Sequence, residues 1–373
     1  MPDLDRYHRQ ILLPGIGEAG QRRLLDSHAL VVGCGALGTM IVDALARAGV
    51  GTLSIIDRDT VELTNLQRQV MFDEADVEQT MPKAEAAKSK IARINSQIVV
   101  HARVDDFNHR NAERHIKDVD IILDGLDNFE TRYLLNDLAV KFGLPYIYGG
   151  AVATGGMSMP ILPHPRTRAS GIRSSVTWTQ EQSTPCLRCV FPHAPPPGSS
   201  QTCDTAGVLG SAAAVIAAHQ VTQAIKLLTH NLDALDRSLL SIDVWANQTR
   251  RFDISGARNS SACPCCVDGR FDFLDARAGS AAATLCGRNA VQITLSDEAT
   301  EPVTLDLNTV AKRLCPHGSF TYNGYLLHGR FINETTSQGE PIELTLFPDG
   351  RAIVKGVTEP DAARSIYAKY IGA

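Results

Sequence analysis

The chain has 373 residues, of which 44% are hydrophobic and 21% are charged, and this composition predicts an ordinary globular protein with one large and one small domain. Its net charge of −5 gives no support to binding of nucleic acid or of a membrane surface. The polar start of the chain is unlike a signal peptide, and no apolar run approaches the roughly 20 residues of a membrane span, so we expect a cytoplasmic protein.

The first predicted helix covers residues 18–26 and follows a segment that contains Arg6 and Arg9. These two arginines are either surface charges or part of an arm that reaches phosphates. Without further context, the surface interpretation is favoured.

A βαβ unit is predicted next. The apolar run 29–32 has the composition of a strand buried on both faces of a parallel sheet, and it precedes a helical pattern over 37–48 and a second strand, 52–56, that leads into Asp57. The turn between strand and helix has the spacing G-x-G-x-x-G, with Gly33, Gly35 and Gly38. Such a unit brings glycine backbone and a helix N-terminus to a phosphate and an acid to a ribose hydroxyl. It therefore predicts a nucleotide site, but it does not say which nucleotide is bound.

The polar segment after Asp57 contains Asn65, Arg68 and Lys83. Guanidinium and ammonium groups near one pocket suit a triphosphate whose α-phosphate is attacked, because they neutralise the charge that develops in the transition state. For any one of these residues singly, a solvated surface loop is the alternative interpretation.

The rest of the first domain completes an α/β pattern typical of a Rossmann-like, doubly wound sheet. Strands are predicted at 98–102, 119–124, 145–150 and 155–162, and helices at 82–94, 111–116, 129–142 and 208–228. Asp127 follows a buried strand, and ligands in open α/β sheets lie outside the carboxyl ends of strands, so Asp127 is a candidate metal or ligand contact. It is also a candidate cap for the helix at 129–142.

Two C-x-x-C pairs predict a metal site. The pairs consist of Cys186, Cys189, Cys263 and Cys266, the ligand set of a closed structural zinc site. The chain has nine cysteines, and an odd count without an export signal favours reduced thiols and a metal over disulfides. Because the two pairs are far apart, the zinc would pin a C-terminal strand to the domain instead of building a finger. Buried cysteine without a metal is the alternative.

A small α+β domain, βαββββα, is predicted over 271–373. Its strands are expected at 291–295, 319–322, 325–331, 342–347 and 351–355, and its helices at 307–314 and 360–370. Cys286 and Cys315 are expected in its core. We find no catalytic constellation in this domain, so the predicted nucleotide and metal sites belong to a first domain, residues 1–270.

Together these features resemble the ThiF/MoeB/HesA adenylyltransferases, bacterial relatives of ubiquitin-activating enzymes. The resemblance spans about residues 5 to 270 and is carried by motifs in the family's order. These are Arg-Tyr-His-Arg-Gln at 6–10, the glycine turn, Asp57, Asn-Leu-Gln-Arg-Gln at 65–69, Pro82-Lys83, Asp127-Asn128, the cysteine pairs, and Cys203 within Thr-Cys-Asp-Thr-Ala-Gly at 202–207.

The resemblance implies ATP- and Mg²⁺-dependent adenylation of the C-terminal glycine of a ubiquitin-like sulfur-carrier protein that ends in Gly-Gly. Such adenylation serves sulfur transfer in cofactor or tRNA thiolation pathways. The turn glycines would line the phosphates and Asp57 would hold the ribose. Asn65, Arg68 and Lys83 would contact the triphosphate, and Asp127 would bind magnesium.

Two further implications concern the partner subunit and a thiol. Arg9 resembles the arginine that reaches into the partner's active site, which implies a homodimer. Cys203 resembles a thiol that is linked covalently to the carrier in some members and is dispensable in others. The family chain usually ends soon after the second cysteine pair, whereas this one continues for about 100 residues.

Two competing hypotheses remain from the sequence. An NAD(P)-dependent oxidoreductase would explain Asp57 but would leave Arg68, Lys83 and Asp127 without roles. A zinc-stabilised scaffold could bind a ubiquitin-like partner without chemistry, but the intact set of Arg9, Arg68, Lys83 and Asp127 argues against it.

Overall fold

The computed structural model describes residues 4–165, 174–193, 206–260, 262–277, 284–285, 289–293, 304–336 and 338–371. The chain forms two compact units, Met1–Gly279 and Ser280–Ala373. The boundary predicted after residue 270 falls inside the first unit. There the backbone N–H groups of Phe273 and Leu274 donate to the buried Asp137 carboxylate.

The first unit contains eight strands and ten α-helices among its described residues. The strands are β1 (His28–Val32), β2 (Thr52–Ile56), β3 (Val99–Arg103), β4 (Ile121–Asp124), β5 (Tyr146–Val152), β6 (Gly155–Ile161), β7 (Leu239–Asp243) and β8 (Gln248–Phe252). The helices are α1 (His8–Ile11), α2 (Gly17–Leu25), α3 (Ala36–Ala48), α4 (Glu74–Glu78), α5 (Lys83–Ile94), α6 (Ala112–His115), α7 (Phe129–Phe142), α8 (Leu187–Val190), α9 (Gly210–Leu228) and α10 (Ala257–Ser260).

The eight strands form one mixed sheet in the order β3-β2-β1-β4-β5-β6-β7-β8. The first five are parallel neighbours, whereas β6, β7 and β8 run antiparallel to the strands beside them. A connection of two residues joins β5 to β6, and this is too short for the crossover that a parallel pair requires. The Rossmann-like order is therefore present in the first five strands only. Strands β7 and β8 were not predicted. Strand β8 was missed because it is exposed along its whole length and carries no apolar alternation.

Strand β1 shows that the parallel part of the sheet is covered on both faces. Ala29 and Val31 pack into one core with side chains of α3, α5 and α9, while Leu30 and Val32 pack into a second core with α6 and α7. This explains the unbroken apolar run, since alternate residues of a strand point to opposite faces. Burial of each such valine or leucine contributes about 1.5–3 kcal/mol.

The order of the strands also places the ligand site. Strand β1 has β2 on one side and β4 on the other, both parallel to it. The connection that leaves β1 leads to β2, whereas the one that leaves β4 leads to β5 on the opposite side of the sheet. Ligands in such sheets bind outside the carboxyl ends of the strands at this switch point. Val32 and Asp124 are the last residues of β1 and β4, and the segments that follow them form the candidate site.

The second unit is a six-stranded antiparallel sheet with two described α-helices. In the order β11-β12-β13-β14-β10-β9, the sheet comprises β9 (Thr284–Leu285), β10 (Ala290–Ile293), β11 (Gly318–Tyr322), β12 (Leu327–Thr335), β13 (Pro341–Leu346) and β14 (Ala352–Lys355). The helices are α11 (Leu307–Leu314) and α12 (Pro360–Tyr370), and both pack on the core of this sheet. Cys315 is exposed, contrary to the expectation of a core residue, because it begins a 3-10 turn just after α11. Cys286 lies outside the described residues.

Within the described part of the chain, no helix combines the length and apolarity needed to cross a membrane.

Candidate functional site

The glycine turn after β1 packs directly on the segment after β4. A Cβ added to Gly33 would lie 2.5 Å from the carbonyl oxygen of Gly125, and one added to Gly38 would overlap the carbonyl oxygen of Gly33. Gly33 also has a φ of +89°, in the region that favours glycine. The first and third glycines of the motif are therefore required by the packing of the protein on itself.

Gly35 is different, because a Cβ there would meet no described atom closer than 3.9 Å. It occupies the N-cap position of α3, and no described side chain caps that helix. The first N–H groups of a helix lack partners within the helix, and together with the helix dipole they favour an anion. Gly35 thus leaves open the approach that a phosphate group would use.

Gln69 borders the same glycine, and the sequence interpretation gave it no role. It is 3% exposed, and its Nε2 lies 3.9 Å from the Cβ position of Gly35. Its Oε1 is buried without a hydrogen-bond partner among the described residues. An unsatisfied buried amide oxygen costs about 1–3 kcal/mol, so Gln69 is a candidate ligand contact. Only its position in the Asn-Leu-Gln-Arg-Gln motif could have identified it from the sequence.

Asp57 and Lys83 both lie near the glycine turn. The Asp57 carboxylate accepts the backbone N–H of Cys34 at 2.6 Å and that of Asp59 at 2.7 Å. Burial raises the pKa of Asp57, and the nearby Lys83 opposes this rise. Lys83 is the first residue of α5 and is itself buried, and its Nζ donates to the Asp59 carboxylate at 3.0 Å. The arrangement places a cation and a carboxylate beside the open helix N-terminus.

Asn65 and Arg68 lie in the turn that precedes Gln69. The Oδ1 of Asn65 accepts the backbone N–H of Glu62 at 3.1 Å, so a ligand would meet its amide nitrogen. Arg68 is half-buried, and its guanidinium donates to the Thr64 carbonyl at 2.8 Å. Asn65 and Arg68 are thus close in sequence to Gln69, whose side chain borders Gly35.

Asp127 is exposed and is the third residue after the end of β4. The helix cap at this point is Asn128, whose Oδ1 accepts the backbone N–H of Thr131 at 2.9 Å. The prediction that Asp127 also caps α7 is therefore wrong, since the helix begins one residue later than a cap at Asp127 would require. The Asp127 carboxylate does not accept the capping hydrogen bond, so it remains a candidate for binding a metal or another ligand.

Arg58, to which the sequence analysis assigned no role, lies near Asp127. Arg58 directly follows Asp57, and its Nη1 lies 2.7 Å from an oxygen of Asp106. Burial lowers the pKa of Arg58, but the carboxylates of Asp106, Asp59 and Asp127 outweigh this effect and raise it. Arg58 therefore links the end of β2 to the surroundings of Asp127.

Arg9 is separate from this group in its own chain. It lies on α1, is exposed, and forms no hydrogen bond or ion pair with a described residue. Its neighbours are anchored, because the Tyr7 hydroxyl accepts a hydrogen bond from Asn95 at 2.8 Å and Gln10 donates to the Ala48 carbonyl at 2.9 Å. A fixed segment thus presents Arg9 to solvent. Cys203 lies outside the described residues.

The four predicted zinc ligands converge. The Sγ atoms of Cys186, Cys189, Cys263 and Cys266 all lie within 4.8 Å of one another. Three of the Sγ–Sγ distances are 3.8, 3.6 and 3.3 Å, close to the separation of about 3.8 Å that a tetrahedral site with Zn–S bonds of about 2.3 Å requires. The donor set and its geometry therefore fit Zn²⁺.

Asn136 of α7 holds the two cysteine pairs together, and the sequence gave no indication of this role. Its Oδ1 accepts the backbone N–H of Leu187 at 2.7 Å, and its Nδ2 donates to the Cys265 sulfur at 3.3 Å. An ion pair of 3.1 Å between Arg188 and Asp272 joins the same two segments. The cluster thus fastens the segment around 263–274 to the second core of the sheet.

The fold and these two sites define a Rossmann-like α/β protein with a helix N-terminus that is open to an anion and a cluster of four thiols. A family model described as the ThiF family matches residues 7–265. The chain is 39% identical over 370 residues to the sulfur carrier protein ThiS adenylyltransferase of Bacillus subtilis (strain 168), covering 98% of this chain and 99% of the relative. The chain belongs to the ThiF family.

Two other proteins give more limited matches. The sulfur carrier protein adenylyltransferase of Thermus thermophilus is 35% identical over 266 residues, 71% of this chain and 92% of that one. The crystal structure of Escherichia coli MccB with MccA-N7isoASN has a TM-score of 0.57 at 21% identity, covering 72% of this chain and 75% of that one, and this likeness supports the fold alone.

The match to the Bacillus protein includes the C-terminal unit, because only 2% of this chain lies outside it. The continuation beyond the second cysteine pair, a departure from the usual family length, is therefore shared with this relative. The Thermus match leaves 29% of the chain uncovered.

Proposed function

We propose that this protein adenylates the C-terminal glycine of a ubiquitin-like sulfur-carrier protein that ends in Gly-Gly, for sulfur transfer in cofactor or tRNA thiolation. The observation that carries the proposal is the grouping of Lys83 and Asp57 beside the open N-terminus of α3, since a dinucleotide enzyme has no need of the buried lysine. The names of the Bacillus and Thermus relatives support the same acyl substrate.

In the proposed reaction, a carboxylate oxygen of the carrier's terminal glycine attacks the α-phosphorus of ATP. The bond from that phosphorus to the oxygen that bridges the α- and β-phosphates breaks, and pyrophosphate leaves with its electron pair. The products are an acyl adenylate and pyrophosphate, so charge accumulates on the phosphate oxygens during the step. Cationic side chains and backbone N–H groups aimed at these oxygens stabilise the transition state.

The residues predicted from the sequence each have one part in this scheme. Gly33 and Gly38 fix the turn, and Gly35 admits the phosphates to the N–H groups of α3. Asp57 accepts a ribose hydroxyl, while the triphosphate is contacted by donors from Asn65, Arg68 and Lys83. We place this chemistry in residues 1–270, because the C-terminal unit contributes none of these residues.

Asp127 suits a magnesium ion because its carboxylate is exposed, follows by two residues the Gly125 that packs on Gly33, and is not used as a helix cap. Bound Mg²⁺ would supply positive charge to the leaving pyrophosphate. The four cysteines would hold Zn²⁺ in a structural role, since all four ligand positions of a tetrahedral ion are taken by protein. Cys203 remains a candidate for a covalent link to the carrier.

The direct test is exchange of labelled pyrophosphate into ATP by the purified protein with Mg²⁺ and a Gly-Gly-ending carrier. We expect exchange that depends on the carrier, and stabilisation against heat by ATP but not by NAD, because only a ligand that binds the folded state raises the melting temperature. Stabilisation by NAD(P) alone would favour the oxidoreductase. Carrier binding with neither exchange nor nucleotide binding would favour the scaffold.

We further propose that the protein is a homodimer in which Arg9 acts in the partner's site. Apolar side chains are exposed on the first unit near α1 and on both sides of the Asn65–Arg68 turn, as an interface would require. They are Leu12, Leu13, Leu63 and Val70. Arg9 has no partner among the described residues of its own chain, which leaves its guanidinium available for another.

Mixing two inactive homodimers tests this arrangement. Arg9→Ala and Lys83→Ala should each be nearly inactive in exchange. In a heterodimer of the two, one site has both residues intact and the other lacks both, so activity should return to at most about half of wild type, as two-fold symmetry requires. The control is Arg6→Ala. The guanidinium of Arg6 donates to the Ile94 carbonyl within its own chain, so we do not expect it to act in the partner subunit. If Arg9→Ala keeps full activity, or if the mixture stays inactive despite subunit exchange, Arg9 does not act in trans.

A further inference from the structure

A buried ion pair, Asp124–Arg132, contacts residues 125–127, the segment that carries Asp127. The proposed reaction does not use this pair. Asp124 is the last residue of β4 and is inaccessible to solvent, and Arg132 of α7 is 5% exposed. The Nε of Arg132 donates to the Asp124 carboxylate at 3.2 Å. A buried ion pair of this kind is weak evidence for stability, because desolvation of the two charges offsets their attraction.

The pair encloses the short segment between β4 and Asp127. One Asp124 oxygen accepts the backbone N–H of Leu126 at 3.0 Å, and Nη2 of Arg132 donates to the Leu126 carbonyl at 2.5 Å. Both backbone polar groups of Leu126 are thus held by the two partners of one ion pair. Leu126 is bonded directly to Asp127, so its peptide plane sets the direction in which the Asp127 side chain leaves the backbone.

The other side of this segment is fixed to the glycine turn. The backbone N–H of Gly125 donates to the Val32 carbonyl at 2.8 Å, and Gly125 is packed against Gly33. Residues 125 and 126 therefore have one anchor in the phosphate-binding turn and one in the Asp124–Arg132 pair. A shift of either anchor would change the distance between Asp127 and the phosphates.

Arg132 is itself held in place. Its guanidinium carbon lies 5.5 Å from the ring centre of Phe129 and 5.8 Å from that of Tyr148. Burial lowers its pKa, but Asp124 outweighs this effect and the pKa is raised, with a further contribution from Asp127. The guanidinium is therefore charged, oriented by two rings, and close enough to Asp127 to attract its carboxylate.

We infer that Arg132 is a positioning residue for the metal-binding carboxylate: through the Leu126 carbonyl it fixes Asp127 relative to the glycine turn. The inference rests on the proposed function, in which Asp127 binds the magnesium of ATP. Partners that orient a metal ligand affect metal affinity by about 10- to 100-fold when they are removed. A merely structural arginine would affect stability without changing the dependence on magnesium.

The test is calorimetric titration of the full-length protein with ATP, once with Mg²⁺ and once with EDTA. In the wild type Mg²⁺ should tighten ATP binding, and Asp127→Asn should remove this gain. Arg132→Met should reduce the gain by about 10-fold while leaving affinity in EDTA unchanged, because the residues that contact the phosphates are intact. An unchanged gain in Arg132→Met overturns the inference, whereas a wild type that does not bind ATP overturns the proposed function itself.

Tyr146→Phe is the matched control. The Tyr146 hydroxyl donates at 2.7 Å to Oδ2 of Asp124, the oxygen that also accepts Nε of Arg132, and not to Leu126. Its loss therefore weakens the network without releasing the Leu126 carbonyl. Tyr146→Phe should lower the melting temperature and keep the full increase in ATP affinity that Mg²⁺ produces. A similar loss of gain in both variants would show a general effect of stability and would overturn the role of Arg132.

A second variant covers the case in which Arg132→Met does not fold, since it leaves the Asp124 carboxylate buried without its cation. Replacing both partners, Asp124→Asn with Arg132→Met, removes this uncompensated charge. The amide introduced by Asp124→Asn retains an acceptor for the Leu126 N–H, but the Leu126 carbonyl still lacks its donor. The double variant should therefore show the reduced magnesium gain in a folded protein, and a full gain would overturn the inference.

Discussion

Asp127→Ala should remove nearly all exchange of pyrophosphate into ATP. The Asp127 carboxylate lies just after β4, at the switch point of the sheet, and it is not consumed by the cap of α7. Without it, the charge on the leaving pyrophosphate is no longer offset at this position. Loss of a single group that stabilises developing charge typically costs about 100- to 1000-fold in rate, so we expect a decrease of this order at saturating ATP and Mg²⁺.

The neighbouring residue gives a matched control for Asp127→Ala. Asn128→Ala removes the helix cap, a bond of 2.9 Å to the Thr131 N–H, and should cost about 1 kcal/mol of stability. It keeps the carboxylate and should therefore keep most of the exchange. Full exchange in Asp127→Ala, measured on folded protein, would exclude this residue from the mechanism.

Cys186→Ser should lose zinc and the native structure of the first unit. The Cys186 sulfur lies 3.8 Å from that of Cys189 and 3.6 Å from that of Cys263, so it is central to the cluster. Structural zinc contributes about 10–16 kcal/mol in zinc-finger peptides, comparable to the whole stability of about 5–15 kcal/mol of a typical protein. We expect one zinc per wild-type chain by elemental analysis, and a much lower melting temperature in the variant.

Cys265→Ser is the control for this prediction, because it changes a buried cysteine of the same segment. Cys265 lies outside the four-thiol group and accepts a hydrogen bond from Asn136 instead. It should therefore keep its zinc, whereas Cys266→Ser should lose it. The reverse result would mean that the ligand set is wrong, and a stable wild type without metal would exclude a structural zinc altogether.

The sequence alone determined the local parts of both sites. The βαβ unit was predictable because β1 is buried on both faces and the α3 pattern has helical periodicity, and both are properties of neighbouring residues. The glycine spacing of 33–38 and the two C-x-x-C pairs were equally readable, since ligand spacing within each pair is set by local backbone geometry. The resemblance to the ThiF family was carried by these motifs together with the others in the same order, and it required no knowledge of contacts between distant residues.

The tertiary structure decided what depends on residues far apart in the chain. Only the approach of Gly125 to Gly33 separates glycines required for packing from Gly35, which faces open space. The roles of Gln69 and Asn136 were missed for the same reason, since each acts on a segment that its own surroundings do not specify.

The sheet and the Asp127 segment show this limit most clearly. Hydrophobic periodicity predicts that a segment is a strand, but it does not reveal an exposed edge strand such as β8, whose residues need no apolar face. Nor does it show that Arg132 and Asp124 enclose Leu126, because a buried ion pair forms only when the folded backbone brings its partners together. The sequence thus determined the chemistry of the side chains available to the site, and packing of distant segments decided which of them are oriented to use it.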